Sequence, residues 1–433
     1  MSELVDRLYV HCRELVTLTD GPATGARRGA SMEALGVIPD GAIAVRGGRI
    51  VAVGATDAIA RDYRAADELD LDGYVVLPGF VDCHTHPVFA GTREGEFHQR
   101  CHGADYMAIA AAGGGILSSV RALRATPLDE LTALTVERLW GFATHGTTTV
   151  ECKTGYGLSL ADEERSLQAL AAAARQVPLT IVRTFLGAHE FPPEFRDDRE
   201  GYVRLLCDQM IPRLARLADA CDVFAEPGVF DRVQALRVLS AARAEGLRLR
   251  MHADELSPMA GAELAVDLHA DSADHLGRIS DDGIRALARS DTTGVLLPGT
   301  GFFLGKDLYA PARRMIDAGC AVAIATDFNP GSCYTQSMTL IQTLACVKLK
   351  MTPAEAVTAS TINAAFSLRL DREVGTLHPG KRADFTALDL PCWRAVGYAF
   401  GGNPVAITVK DGRPLIANVS DREPDLFAGS AAL

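Results

Sequence analysis

The sequence predicts an α/β fold: a (β/α)8 TIM-type barrel joined to a small composite β-sandwich domain built from the two ends of the chain. Three observations predict it. Eight short apolar runs alternate with alanine- and leucine-rich helical stretches from about residue 77 to 370, the rhythm of a closed parallel barrel. Turn-punctuated β-rich pieces flank that region on both sides. The 433 residues, 48% hydrophobic and 23% charged, suffice for one large core plus a smaller unit.

Taken in order, residues 1–76 carry the hairpin-like pieces GAIAVRGGRIVAVGA and ADELDLDGYVVLPG. Residues 77–370 form the barrel, its strands being GFVDCHTH, GTTTVECK, IVRTFLGAH, CDVFAEPG, LRLRMHADE, DSADHL, TTGVLLPG and AVAIATDF. Residues 371–433 return to β rhythm in GTLHPGKRADFTALDL and AITVKDGRPLI. Each terminal piece is small to stand alone, so the two are expected to pair into one unit beside the barrel.

Composition narrows the function. With 43 basic against 55 acidic residues, the net charge of −12 disfavours nucleic acid or an anionic membrane as partner, so any anionic ligand must be caught locally. The N-terminus lacks the pattern of a secretory signal, and no apolar run approaches the roughly 20 residues of a membrane span. Ten cysteines without a C-x-x-C pair suggest neither a zinc ribbon nor a disulfide scaffold. A reducing cytoplasm is the expected setting, with a small molecule as partner.

On a strand, residues i and i+2 share a face, so His84 and His86 of HTH project together at the end that opens on a barrel's catalytic mouth. His252 ends the fifth strand, His275 the sixth and Asp327 the eighth. Three neutral imidazoles and one carboxylate, His84, His86, His252 and Asp327, suit a divalent ion of borderline softness that lowers the pKa of a bound water. Glu255, three residues beyond His252, is placed to shuttle a proton. His275 can orient the water, polarise a carbonyl or serve as a further ligand. Arg93, nine residues after His84, can grip a carboxylate through two parallel hydrogen bonds.

The motifs HTHPVFAGTREGEF, GGGI, ECKTGYGL, FLGAHEFP, HADE, DHL, TDFNPGS and PGKRADF resemble the amidohydrolase superfamily over nearly the whole chain. Within it they are similar to the enzymes that open an imidazolone ring in histidine degradation. The resemblance implies hydrolysis of 4-imidazolone-5-propanoate to N-formimidoyl-L-glutamate with one metal ion, divalent or trivalent, zinc or iron. It also places Tyr156, His189 and Glu255 on the substrate, with Asn329, Gly331 and Ser332 contacting it or the product. Superfamily relatives that bridge two metals use a carbamylated lysine on the fourth strand; Lys153 ends the second and the fourth carries Glu226, which implies a single ion. The same H-x-H, H-x-x-E, H and D set serves base deaminases, against which Arg93 argues, since a neutral base needs no carboxylate clamp. A scaffold that had lost its chemistry is expected to lack a ligand, and none is missing. A homodimer is expected by analogy alone. Gly113 to Gly115 fit a mobile loop at the mouth better than a phosphate cradle, and His98 and His102 fit surface roles.

Overall fold

The computed structural model describes residues 2–103 and 113–418. The last fifteen residues of the predicted C-terminal segment lie outside the described residues. Eight strands form the barrel sheet in chain order: Phe80–Asp82, Thr147–Lys153, Thr180–Ala188, Ala220–Val223, Arg248–Ala253, Ser272–His275, Thr293–Leu296 and Val322–Ile324. Every neighbouring pair is parallel. The ring closes between the eighth and first strands through backbone bonds from Asp327 N to His84 O (3.0 Å) and His86 N to Phe328 O (2.8 Å). Asp82 reinforces this seam by accepting from Thr326 N at 3.0 Å and Thr326 Oγ1 at 2.6 Å.

One expectation is refined. The first strand ends at Asp82, so His84 and His86 lie just beyond it, in an extended segment that pairs across the seam through Thr85 and Phe328. The alternation that aims both imidazoles the same way survives this shortening, because the backbone stays extended.

Local chemistry sets where the crossover helices begin. Asp231 and Gln234 form a reciprocal cap at the start of Arg232–Ala244, and Thr352 with Glu355 does the same for Pro353–Ala359, where a proline fills the first helical position. Ser159 and Ser280 accept from the exposed N–H groups that open Leu160–Ala173 and Asp281–Ala288. The helices bury leucine, valine and alanine against the strands, as Val238, Leu239 and Ala242 do on Arg232–Ala244.

The chain ends together build a second large sheet. The antiparallel hairpin Val37–Arg46 with Arg49–Ala55 turns through Gly47 and Gly48, both at positive φ, as the expected hairpin requires. The second N-terminal piece behaves differently. Asp67–Asp70 and Val75–Pro78 do not pair with each other; each lies parallel to Arg7–Val16. The aspartates that resemble turn residues are absorbed as strand ends there. From the C-terminal side, Phe385–Leu388 pairs with Val75–Pro78, and the hairpin Val405–Lys410 with Arg413–Ala417 completes the sheet. Its core mixes residues from both ends, with Tyr9 edge-on to Phe385 at 4.7 Å beside Ile43, Val45 and Ile407. All ten cysteines are unpaired. Among the described residues no helix is long and apolar enough to cross a membrane.

Candidate metal centre and active site

The mouth of the barrel gathers five imidazoles and two carboxylates from five different strand ends. His84 Nε2 stands 3.2 Å from His86 Nε2 and 3.5 Å from Asp327 Oδ1, which is itself 3.4 Å from His86 Nε2. The ring of His252 lies 4.5 Å from that of His84 and 5.2 Å from that of His275, centroid to centroid. At the mouth His84 thus belongs both to a donor group with His86 and Asp327 and to one with His252 and His275, each with ligand atoms within 4.8 Å of one another. Burial, with the charge of Lys153 second for His84 and that of His252 second for His86, holds both imidazoles far below their usual pKa. They are therefore neutral, as metal ligands must be.

Buried acids fix the tautomers. His84 Nδ1 meets Asp274 Oδ2 at 2.6 Å and His252 Nδ1 meets Asp222 Oδ1 at 3.1 Å. Each carboxylate accepts a hydrogen bond from Nδ1–H and leaves the Nε2 lone pair for a cation. Burial alone would lower the His252 pKa, but Asp222 overrides it and raises it. Asp327 Oδ1 faces the imidazoles while Oδ2 accepts from Thr300 Oγ1 at 2.5 Å. This donor set of unprotonated ring nitrogens and one anchored carboxylate fits a single borderline cation.

The sequence profile of the amidohydrolase family matches residues 75–415. The chain belongs to the amidohydrolase family. It is 50% identical over 418 residues to the imidazolonepropionase of Symbiobacterium thermophilum, spanning 95% of this chain and 97% of that one. It is 46% identical over 410 residues to the imidazolonepropionase of Geobacillus kaustophilus, spanning 93% and 96%. Among solved structures, the guanine deaminase of E. coli superposes with a TM-score of 0.73 at 15% identity over 95% of this chain and 99% of that one. At that identity the likeness is one of fold.

Around the amidohydrolase cluster, the remaining expected residues fall on two sides. Glu255 and His275 form one, with Glu255 Oε2 3.7 Å from His275 Nε2. They line a recess with Thr300, Lys306 and Tyr309. Burial, then the charge of Asp327, pushes the Glu255 carboxyl up to about 7, and burial drops His275 to about 3. On the other side, His189 stacks on His86 at 5.2 Å and its Nδ1 donates to Gly155 O at 3.0 Å, so its Nε2 is a free acceptor. The buried Tyr156 ring stands 5.4 Å from His189.

Arg93 Nη2 is held by Glu96 Oε2 at 2.6 Å while its buried Nε has no partner among the described residues. A Cβ at Gly331 would come within 2.0 Å of Arg93 Nη1, so the absence of a side chain there makes room for the guanidinium. Asn329 spends its amide on its own turn, donating to Asp327 O and Ser332 Oγ and accepting from Gly331 N and Ser332 N. His98 on Glu94–Cys101 and His102 just past its end are exposed, and Gly115 opens Ile116–Ala125 with its N–H on Glu96 Oε1.

Sequence reasoning missed the supporting charges. The acids Asp222, Asp274 and Glu151 and the cation Arg250 all sit inside barrel strands, fully or almost fully buried. Glu96 and Glu163 hold the loops that carry Arg93 and Tyr156, Glu163 through the N–H groups of Gly155, Gly157 and Leu158. A signal was available: an ionised group within an apolar strand must find a partner, and Glu151/Lys153 and Arg250/His252 stand two apart on one face.

Proposed function

We infer that this chain is an imidazolonepropionase that hydrolyses the ring amide C–N bond of 4-imidazolone-5-propanoate to give N-formimidoyl-L-glutamate, a step of histidine degradation. The observation that carries the reading is one barrel mouth combining a neutral imidazole–carboxylate cluster with the Arg93 guanidinium, for which Gly331 makes room and whose Nε has no partner among the described residues. The curated imidazolonepropionases at 50% and 46% identity support it.

In this reading His84, His86, His252 and Asp327 hold one ion, zinc or iron. When bound, the ion supplies Lewis acidity, making water more acidic and a carbonyl more electrophilic. Arg93 grips the propanoate arm with two charge-assisted hydrogen bonds. Tyr156 and His189 bracket the ring, the free Nε2 of His189 accepting from a ring N–H. Asn329, Gly331 and Ser332 shape the wall behind Arg93. The attacking water gives a proton to Asp327 or to the neutral His275, and its oxygen bonds to the ring carbonyl carbon. Glu255, protonated up to about pH 7, delivers its proton to the ring nitrogen as the C–N bond breaks. The proton taken from water then restores Glu255, so one water is consumed per ring opened.

The test is loss of the substrate's ultraviolet absorbance with the purified full chain before and after chelation. Consumption that stops on metal removal and returns with zinc or iron is expected. A folded, metal-loaded protein that leaves the imidazolone intact would overturn the reading, and release of ammonia from guanine or cytosine would replace it with a deaminase. We place the enzyme in the cytoplasm, which its unpaired cysteines support, and as a homodimer by analogy; sedimentation checks the latter.

A further inference from the structure

Beneath the imidazole cluster lies a set of charges that no step above uses. Lys153 is fully buried; its ammonium donates to Glu151 Oε1 at 2.8 Å and lies 2.8 Å from Asp222 Oδ2 and 3.9 Å from Asp274 Oδ2. Arg250, also buried, approaches the same acids, its Nε 3.7 Å from Glu151 Oε1 and its Nη2 3.5 Å from Asp274 Oδ2. Two cations therefore face three carboxylates. Lys153 stands against Asp222 Oδ2 at 2.8 Å, while Asp274 Oδ1 is a buried acceptor without a hydrogen-bond donor among the described residues. Asp222, Asp274 and His84 also bring ligand atoms within 4.8 Å of one another, a spacing that a metal ion could bridge. Buried carboxylates this close repel one another unless a cation stands between them.

We infer that Lys153 is a built-in substitute for a second cation, its ammonium occupying an oxygen-lined cage formed by Glu151, Asp222 and Asp274 under the metal centre. The cage differs in chemistry from the cluster above it. Carboxylate oxygens suit hard ions such as Mn2+ or Mg2+, whereas the imidazole-rich mouth suits zinc or ferrous iron. By filling the cage, Lys153 leaves Asp222 and Asp274 in place to accept hydrogen bonds from Nδ1–H of His252 and His84, and keeps the floor closed to metal. Without it, Arg250 alone faces three acids, and one divalent ion restores the balance.

The experiment titrates Mn2+ into zinc-loaded full-length wild type, Lys153→Ala and Lys153→Met, counting bound manganese by electron paramagnetic resonance and metal analysis. Lys153→Ala is expected to take up one equivalent beyond wild type, and Lys153→Met, which fills the cage without charge, none. A folded Lys153→Ala that binds no more manganese than wild type overturns the inference, as does equal uptake by Lys153→Met. If Lys153→Ala folds only when millimolar Mn2+ is present, the inference stands; if manganese does not restore folding, it falls.

Discussion

At His275 and Asp327 the backbone is left-handed, with φ of 74° and 53°, a conformation that costs a side-chain-bearing residue energy. Both residues point chemistry into the mouth, so the strain is stored where the donors converge. The residues that grip and protonate the ring are the most directly testable. Glu255→Gln is expected to keep its metal, by elemental analysis, and to lose about 10²- to 10⁴-fold in turnover. Because the protonated carboxyl is the active form and its pKa is raised to about 7, kcat/KM should decline as pH rises through that value. Residual activity of the variant should lack that limb. Gly331→Ala would drive the new methyl into Arg93, so KM should rise roughly 10- to 100-fold, the loss of a charge-assisted hydrogen bond of about 1.5–3 kcal/mol, with kcat and metal content little changed. The donors were legible in the sequence because His84 and His86 obey the strand period and the others close strand segments. Asp222 and Asp274 were not, since nothing local shows which imidazole, 30 or 190 residues away in the chain, each acid meets.

Among the elements, the eight strand segments were readable as apolar runs, and each appears in the barrel in order. The N-terminal pairing was less so. Asp67–Asp70 and Val75–Pro78 read as a hairpin from their turn residues, yet Arg7–Val16 takes both as parallel neighbours, a choice made by tertiary packing. Loop-holding acids extend the same lesson. Glu163→Ala leaves three backbone donors without their acceptor and should lower stability by about 1–3 kcal/mol, read from the urea midpoint, and raise KM by loosening Tyr156. At the barrel seam, burial raises the Asp82 carboxyl from 3.8 to about 7. The folded state thus binds this proton more tightly than the unfolded chain. Its contribution is full below pH 3.8 and lost as pH rises through about 7, so apo-protein stability should fall across that window, less steeply in Asp82→Asn.

At the scale of the whole molecule, the two ends of the chain complete one sheet, with Val75–Pro78 from the first part bonded to Phe385–Leu388 from the last. About 300 residues separate those two strands. At roughly 5–20 residues per second of synthesis, the edge of Val75–Pro78 stays open for about 15–60 s while the barrel emerges. A nascent chain therefore carries an unpaired, apolar strand edge for most of its time on the ribosome, which is when such edges recruit one another. Messages truncated before residue 385 should yield insoluble product, and intact chains should depend on chaperones during translation far more than during refolding from urea.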